Sequence, residues 1–254
     1  MHGPQHATYS PMSALDLTLY HSWRSTCSRR VRICLGLKGL AHRLHTLNLR
    51  TFEHHRPEYL ALNPNGYVPT LVHDGRPLIE STLINEYLDQ VCPDVPLRPV
   101  QAAELHRMRV WTKFADDVCL PAVVVPTWTD ALTASVAGKD AANLDAVLDR
   151  IPLPERRARW RKLATTGYTS DDFSEAYAKM RLAVDRMEAT LADSPWLAGD
   201  RLSLADVNIA PYVWRFREID PDLVNPRTRP QLADWLDRML AFPTVHEVLT
   251  IVPV

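Results

Sequence analysis

Thr70-Leu71-Val72-His73-Asp74-Gly75-Arg76-Pro77-Leu78-Ile79-Glu80-Ser81-Thr82 holds two short apolar runs hinged on Asp74-Gly75. An Asp-Gly pair supplies the positive φ angles of a tight type I′ turn, so Thr70 to His73 and Arg76 to Ile79 read as an antiparallel hairpin. Directly after it, Leu83, Ile84, Tyr87, Leu88 and Val91 mark one face of a helix. Pro93 ends that helix, and Pro96 and Pro99 stiffen the segment behind it. Upstream, Asp16 to Tyr20 alternates, with Leu17 and Leu19 on one face of a short strand. Val31, Leu35 and the Leu37 to Leu40 region then repeat at helical spacing, with Gly39 placed to stop the helix. Arg43 to Leu49 is the next strand, and Phe52 to Leu62 an irregular helical connection ending at Asn63-Pro64-Asn65-Gly66. The order is β-α-β, then hairpin and helix: a four-stranded mixed sheet flanked by helices.

From Ala102 onward every pattern is helical. Met180, Val184, Met187 and Leu191 share one stripe, as do Leu232, Trp235, Leu236 and Met239. Ser203-Leu204-Ala205-Asp206 opens a helix as a variant of the capping box. The expected organisation is a disordered arm at 1–14, an α/β domain at 15–95, a linker at 96–100 and an all-α domain at 101–254. The stretch Thr133 to Ser170 is longer than a bundle connection needs, and such insertions tend to be functional or mobile.

Composition narrows the class. The formal net charge is −1 and no basic block stands clear of acidic neighbours, which argues against a nucleic-acid groove or a polybasic membrane patch. Arg156-Arg157-Ala158-Arg159-Trp160-Arg161-Lys162 reads as a solvated helix face. No apolar run approaches the ~20 residues of a bilayer span, and Met1 to Ser13 lacks the apolar centre of a signal peptide. Cys27, Cys34, Cys92 and Cys119 form no CxxC, so a reducing, cytoplasmic setting is expected. His54-His55 are adjacent, a poor spacing for two metal ligands on one helix face, and no metal site is expected.

Three features carry chemistry. Ser25-Thr26-Cys27-Ser28 lies where the first helix begins. Unpaired N–H groups and the positive dipole end favour an anion such as a thiolate there, and a hydroxyl can donate to a bound sulfur; simple N-capping explains the same residues. Val68-Pro69 precedes the third strand, a position proline tolerates; a cis bond there turns the Val68 N–H and C=O outward, towards a peptide ligand. Glu80-Ser81 opens the helix after the hairpin, where amides and hydroxyl suit a carboxylate and Glu80 suits an ammonium group; a helix-dipole role for Glu80 is the plainer alternative. A ligand with a thiol, a peptide edge and an α-amino acid end fits all three, and glutathione has that composition.

Asn63-Pro64-Asn65-Gly66-Tyr67-Val68-Pro69-Thr70-Leu71 through Glu80-Ser81-Thr82 resembles the glutathione-site signature of cytosolic glutathione transferases. Trp196-Leu197-Ala198-Gly199 with Ser203-Leu204-Ala205-Asp206 resembles the helical-domain signature of the same superfamily. The resemblance runs from Leu15 through nearly the whole chain and implies a thioredoxin-like N-terminal domain, a helical C-terminal domain and a homodimer. It also implies that Val68 pairs with the cysteinyl backbone, that Glu80 and Ser81 hold the γ-glutamyl end, that Pro69 is cis, and that His54 and His55 reach the glycyl carboxylate.

Arg24-Ser25-Thr26-Cys27-Ser28 is similar to the zeta-class motif, with Thr26 in place of a second serine, and makes Ser25 the activating hydroxyl. Phe52-Glu53-His54-His55, Met108 to Lys113 and Ile151 to Glu155 resemble bacterial lignin β-etherases of the superfamily, an alignment that turns Ser28 to the sulfur instead. A third expectation makes Cys27 the reactive group of a glutathione-dependent oxidoreductase. The implied activity is activation of the glutathione thiol for attack on a small apolar or aromatic electrophile, with β-aryl ether cleavage and zeta-type isomerisation as alternatives beside the Cys27 oxidoreductase. Trp23, Trp111, Phe114, Trp128 and Tyr212 are candidate walls for it.

Overall fold

The computed structural model describes residues 15–136 and 141–251; the expected arm at 1–14 lies outside them. The first part holds β1 (Leu17–His21), α1 (Thr26–Leu37), β2 (Arg43–Thr46), α2 (Pro57–Leu60), β3 (Thr70–His73), β4 (Arg76–Leu78) and α3 (Ser81–Val91). The sheet is mixed, in the order β2-β1-β3-β4, with β1 parallel to β2 and antiparallel to β3. The hairpin turns as its dipeptide requires: Asp74 and Gly75 sit at φ 49° and 77°. β2 ends at Thr46, three residues short of the expected strand, and all four of its side chains are exposed, as suits an edge. Pro77 lies on β4, the other edge, where its missing N–H costs no interior ladder bond.

Leu17, Leu19 and Leu71 from the sheet meet Val31 and Leu35 of α1 and Ile84 and Leu88 of α3 in one buried core. α1 starts at the N-cap Ser25, whose Oγ accepts the Ser28 N–H at 3.2 Å. It ends at Lys38, and Gly39 follows at φ 63°, a conformation that favours glycine. Gly36 lets a later helix lie against α1, since a Cβ there would collide with the Thr244 hydroxyl.

The helical part comprises α4 (Ala102–Phe114), α5 (Leu120–Val136), α6 (Ala141–Leu148), α7 (Pro154–Thr165), α8 (Ser170–Asp193), α9 (Leu204–Ile219), α10 (Pro230–Leu240) and α11 (Pro243–Thr250). A π-helical turn at Ala115–Cys119 joins α4 to α5 without a break. The continuous helix Ala102–Val136 is long and apolar enough to cross a bilayer, contrary to the sequence expectation of no such run. Here its apolar residues pack on α8 and α9, and others face a cavity described below. α9 is the central helix: Ser203 and Asp206 form the expected capping box, and Asp206 also accepts the Leu197 N–H and the Trp235 Nε1–H. α9 packs on α1 across the domain boundary, where Asn85 of α3 donates to Asn208 at 2.8 Å and Asn208 donates to Thr112 at 3.1 Å.

The insertion holds two helices. α6 and α7 bury Leu144, Leu148, Trp160 and Leu163 in a second apolar cluster. Phe52, just before the His54-His55 pair, completes that cluster with its ring 4.7 Å from Trp160. The insertion therefore docks on the N-terminal domain.

Candidate functional site

A cavity of about 1150 Å³ opens between the sheet domain and the helices α5 and α7. On the sheet side, three chain turns reach it: Ser25, Thr26 and Cys27 at the start of α1, Val68-Pro69 before β3, and Glu80-Ser81 at the start of α3. On the helical side its wall is largely apolar, with Val123, Val124, Trp128 and Leu132 of α5. Trp23 closes the end beside α1 under the Arg32 guanidinium, 4.2 Å from its ring.

The three features of the sequence are thus brought together. The Val68-Pro69 bond is cis. The Asn63 side chain donates to the Tyr67 carbonyl at 2.9 Å and holds the preceding loop. Among the described residues, the Val68 N–H and C=O have no hydrogen-bond partner in the protein. Glu80 is exposed at φ 67°, left-handed backbone that a non-glycine residue adopts at a cost, and is the N-cap position of α3. That conformation brings Ser81 and the first amides of α3 to the cavity wall.

At α1, two of the three candidate thiol activators face the cavity. Ser25 is half-buried there; its oxygen takes the Ser28 N–H, which leaves its O–H free to donate elsewhere. Cys27 is half-buried, with its Sγ 3.5 Å from the Tyr212 hydroxyl. Ser28 is the correction: it is wholly buried, does not line the cavity, and its Oγ meets the Ser22 N–H at 3.3 Å. The helix turn carries Ser28 behind the site while Ser25 and Cys27 stay in front.

The imidazoles are the second correction. His54 and His55 are fully buried, stacked between Phe52 and each other, and neither lines the cavity. Burial first, and Arg156 next, push both imidazoles down, His55 to about 3 and His54 well below its ordinary value. Neutral, enclosed rings of this kind cannot hold a carboxylate as imidazolium ions.

The walls divide as well. Trp23 and Trp128 line the cavity. Trp111 and Phe114 instead pack edge to face in the helical core beneath the Arg186 guanidinium. Tyr212 is fully buried beneath Cys27. Its hydroxyl is held far above the ordinary phenol value by burial, against the opposing pull of Arg30.

Sequence reading missed a cation beside this site. Arg30 is fully buried one turn along α1. Its guanidinium donates to Asp116 Oδ1 at 2.8 Å and to the Tyr212 hydroxyl, and lies 4.0 Å from the Cys27 Sγ. Burial alone would lower its pKa, but Tyr212, Cys27 and Asp116 together raise it, so the charge persists. Asp116 lies on the π-helical turn and also accepts the Thr82 hydroxyl at 3.1 Å, tying α1, α3 and the helical domain together at the cavity edge.

A thioredoxin-like sheet domain with a cis-proline loop and an attached helical domain defines a glutathione-transferase architecture, and comparison with known proteins agrees. Residues 24–91 match the glutathione S-transferase N-terminal domain and residues 143–238 the C-terminal domain. The chain belongs to the glutathione S-transferase family. It is 32% identical to Protein LigF of Sphingobium sp. over 240 residues, 92% of this chain and 93% of that one. The crystal structure of the β-etherase LigF from Sphingobium sp. strain SYK-6 superimposes with a TM-score of 0.85 at 31% identity, over 91% of this chain and 98% of that one. A maleylacetoacetate isomerase of Rhizobium meliloti is 32% identical over 214 residues, 83% of this chain and 86% of that protein.

Proposed function

We propose that the protein is a glutathione-dependent transferase that directs the glutathione thiolate at a small apolar or aromatic electrophile. The observation that carries this is the cavity itself: Ser25, Val68 and Ser81 on the sheet side share it with an apolar wall from α5. Free thiols have pKa near 8.5, so only a few per cent is thiolate at neutral pH. A donated hydrogen bond from Ser25, added to the α1 dipole, favours the thiolate. The thiolate then attacks the carbon bearing the leaving group, a C–S bond forms, and the leaving group departs with the electron pair of its broken bond. Likeness to LigF over 92% of this chain supports an aryl ether as the finer substrate class, with a phenolate leaving. The thiol donor needs no redox partner for this step.

A second reading rests on Cys27, which lies in the cavity wall at a helix N-terminus. There the protein acts as a glutathione-dependent oxidoreductase, Cys27 Sγ forming a mixed disulfide when it attacks an oxidised glutathione and expels one thiolate. We further propose a homodimer, for which the exposed Leu83 on α3 and Val110 on α4 are suitable contact residues, and a cytoplasmic setting in keeping with four free cysteines.

The test is thermal denaturation with S-methylglutathione, followed by single-turnover assays with an aryl ether and with a small halogenated aromatic. A native-state ligand raises Tm by mass action; an unmoved transition at high millimolar ligand refutes the glutathione site. Cys27→Ala keeps thioether formation on the first reading and abolishes all turnover on the second.

A further inference from the structure

The basic stretch of α7, read from sequence as a solvated face, turns one of its arginines inward. Arg156 is only 5% exposed and lies in the cavity wall. Its Nη1 donates to the Gly66 carbonyl at 3.0 Å, its guanidinium sits 4.0 Å from the centre of the Tyr67 ring, and its Nε is buried without a partner. Arg159, one turn further along the same face, also lines the cavity.

Neighbouring cations on α7 are neutralised: Arg161 pairs with Asp145 and Lys162 with Asp172. Among the described residues, Arg156 and Arg159 pair with no carboxylate. Burial, opposed by Tyr67, lowers the Arg156 pKa to about 10, which still leaves it charged at neutral pH. A buried cation without a counter-ion is costly, and here it borders a cavity from which an anion can approach.

The position of Arg156 decides which anion. It is bonded to Gly66 and stacked on Tyr67, the two residues directly before Val68. Glutathione has a carboxylate at each end. On the proposed reading Ser81 and the α3 amides take the γ-glutamyl one, and Val68 takes the cysteinyl backbone. The glycyl carboxylate needs a cation near the Val68 loop. The neutral, enclosed His54 and His55 cannot supply it; among the cavity-lining arginines Arg24, Arg50, Arg156 and Arg159, Arg156 is the one bonded to Gly66 beside that loop.

Building on the glutathione reading, we infer that Arg156, supported by Arg159, binds the glycyl carboxylate of glutathione. The inserted helix α7, and not the N-terminal domain alone, then completes the peptide site. An acidic electrophile could present the same carboxylate chemistry, and the experiment separates the two sources.

The dissociation constants of S-methylglutathione and of its glycyl monoethyl ester are measured by calorimetry for wild type, Arg156→Met and Arg159→Ala. Wild type is expected to bind the acid roughly 10–100-fold more tightly than the ester, the range for one charge-assisted hydrogen-bonded pair. In Arg156→Met that gap should shrink to within about threefold, with the ester's own affinity little changed, and Arg159→Ala should show a partial loss. The wild-type comparison requires no variant and stands even if Arg156→Met fails to fold. Equal wild-type affinity for acid and ester overturns the assignment, as does a gap that survives in Arg156→Met. Loss in Arg156→Met confined to the KM of an acidic electrophile also overturns it, because the carboxylate then belongs to the second substrate. Failure of both ligands to bind wild type removes glutathione itself, a result distinct from all of these.

Discussion

Replacing Ser25 with alanine removes two interactions that different instruments read. The first is the cap: Ser25 Oγ accepts the Ser28 N–H at 3.2 Å. Losing an N-cap costs about 0.5–2 kcal/mol, which lowers the Tm of a chain this long by roughly 2–4 °C for each kcal/mol. The second is the hydroxyl proton, free on the cavity side. A hydrogen bond to a charged acceptor is worth about 1.5–3 kcal/mol, and one pKa unit is about 1.4 kcal/mol. Bound glutathione in Ser25→Ala should therefore titrate about 1–2 units higher, with turnover reduced about 10–100-fold. Ser25→Asp separates the two effects. Aspartate is an excellent cap at a helix N-terminus, so stability should return to wild type or above. Its carboxylate cannot donate and repels the thiolate, so the sulfur pKa should rise further. The assay is thiolate absorbance of bound glutathione against pH, with Tm measured on the same samples. If Ser25→Asp keeps the wild-type thiol titration, or Ser25→Ala leaves it unmoved, Ser25 is a cap and nothing more, and Cys27 becomes the group to test.

Three further expectations follow from buried ionisable groups elsewhere. Asp206→Ala orphans the N–H groups of Leu197, Ser203 and Trp235 Nε1, at about 1–3 kcal/mol each, so urea unfolding followed by Trp235 fluorescence should show a loss upwards of about 3 kcal/mol; a loss under 1 would refute it. Burial alone would raise the Asp89 pKa, but bonds from Lys38, Leu97 and Arg98 outweigh it and hold the carboxylate below its ordinary value. The stability it contributes is therefore complete above about pH 4 and lost as pH falls through the lower folded value; Asp89→Asn should destabilise by about 3–5 kcal/mol at pH 7 and by progressively less as pH falls below about 4. His21, lowered to about 4 by burial and then Arg32, joins His54 and His55 as neutral buried rings. Between about pH 6.5 and 4 the unfolded chain binds up to about three more protons than the native one, so Tm should fall with pH across that window; His55→Gln should flatten the slope, and an unchanged slope would count against a neutral His55.

The fold was legible because its signals were local. Asp74-Gly75 fixed the hairpin, Gly39 the end of α1, and Ser203 with Asp206 the start of α9, each through backbone chemistry within a few residues. The sheet wall of the cavity was legible for the same reason: Ser25, Val68 and Ser81 each sit at an element boundary where backbone groups turn outward. What sequence left open was side-chain direction across the domain boundary. Trp111, Phe114 and Trp128 share one apolar helix pattern, yet only Trp128 faces the cavity, because the π-helical turn at Ala115–Cys119 rotates α5 relative to α4. Ser28 and Cys27 are adjacent in sequence and point to opposite sides of one turn.

Two buried arginines show why residue type alone does not define the helical side of the site. Arg30 and Arg156 are the same residue type, both nearly without solvent contact, and both close to the cavity. Arg30 is answered inside the protein by Asp116, Tyr212 and Cys27, and its burial is sustained by pairs that join α1 to the helical domain. An internal carboxylate partner marks it as a positioning residue, one that holds Asp116 at the cavity edge and Tyr212 beneath Cys27. Arg156 has one carbonyl and one aromatic face, and no carboxylate among the described residues. Burial without a counter-ion is costly, and beside the cavity a ligand carboxylate can supply the missing charge. The partners, and not the residue type or its depth, separate the arginine that builds the site from the one that waits for its occupant.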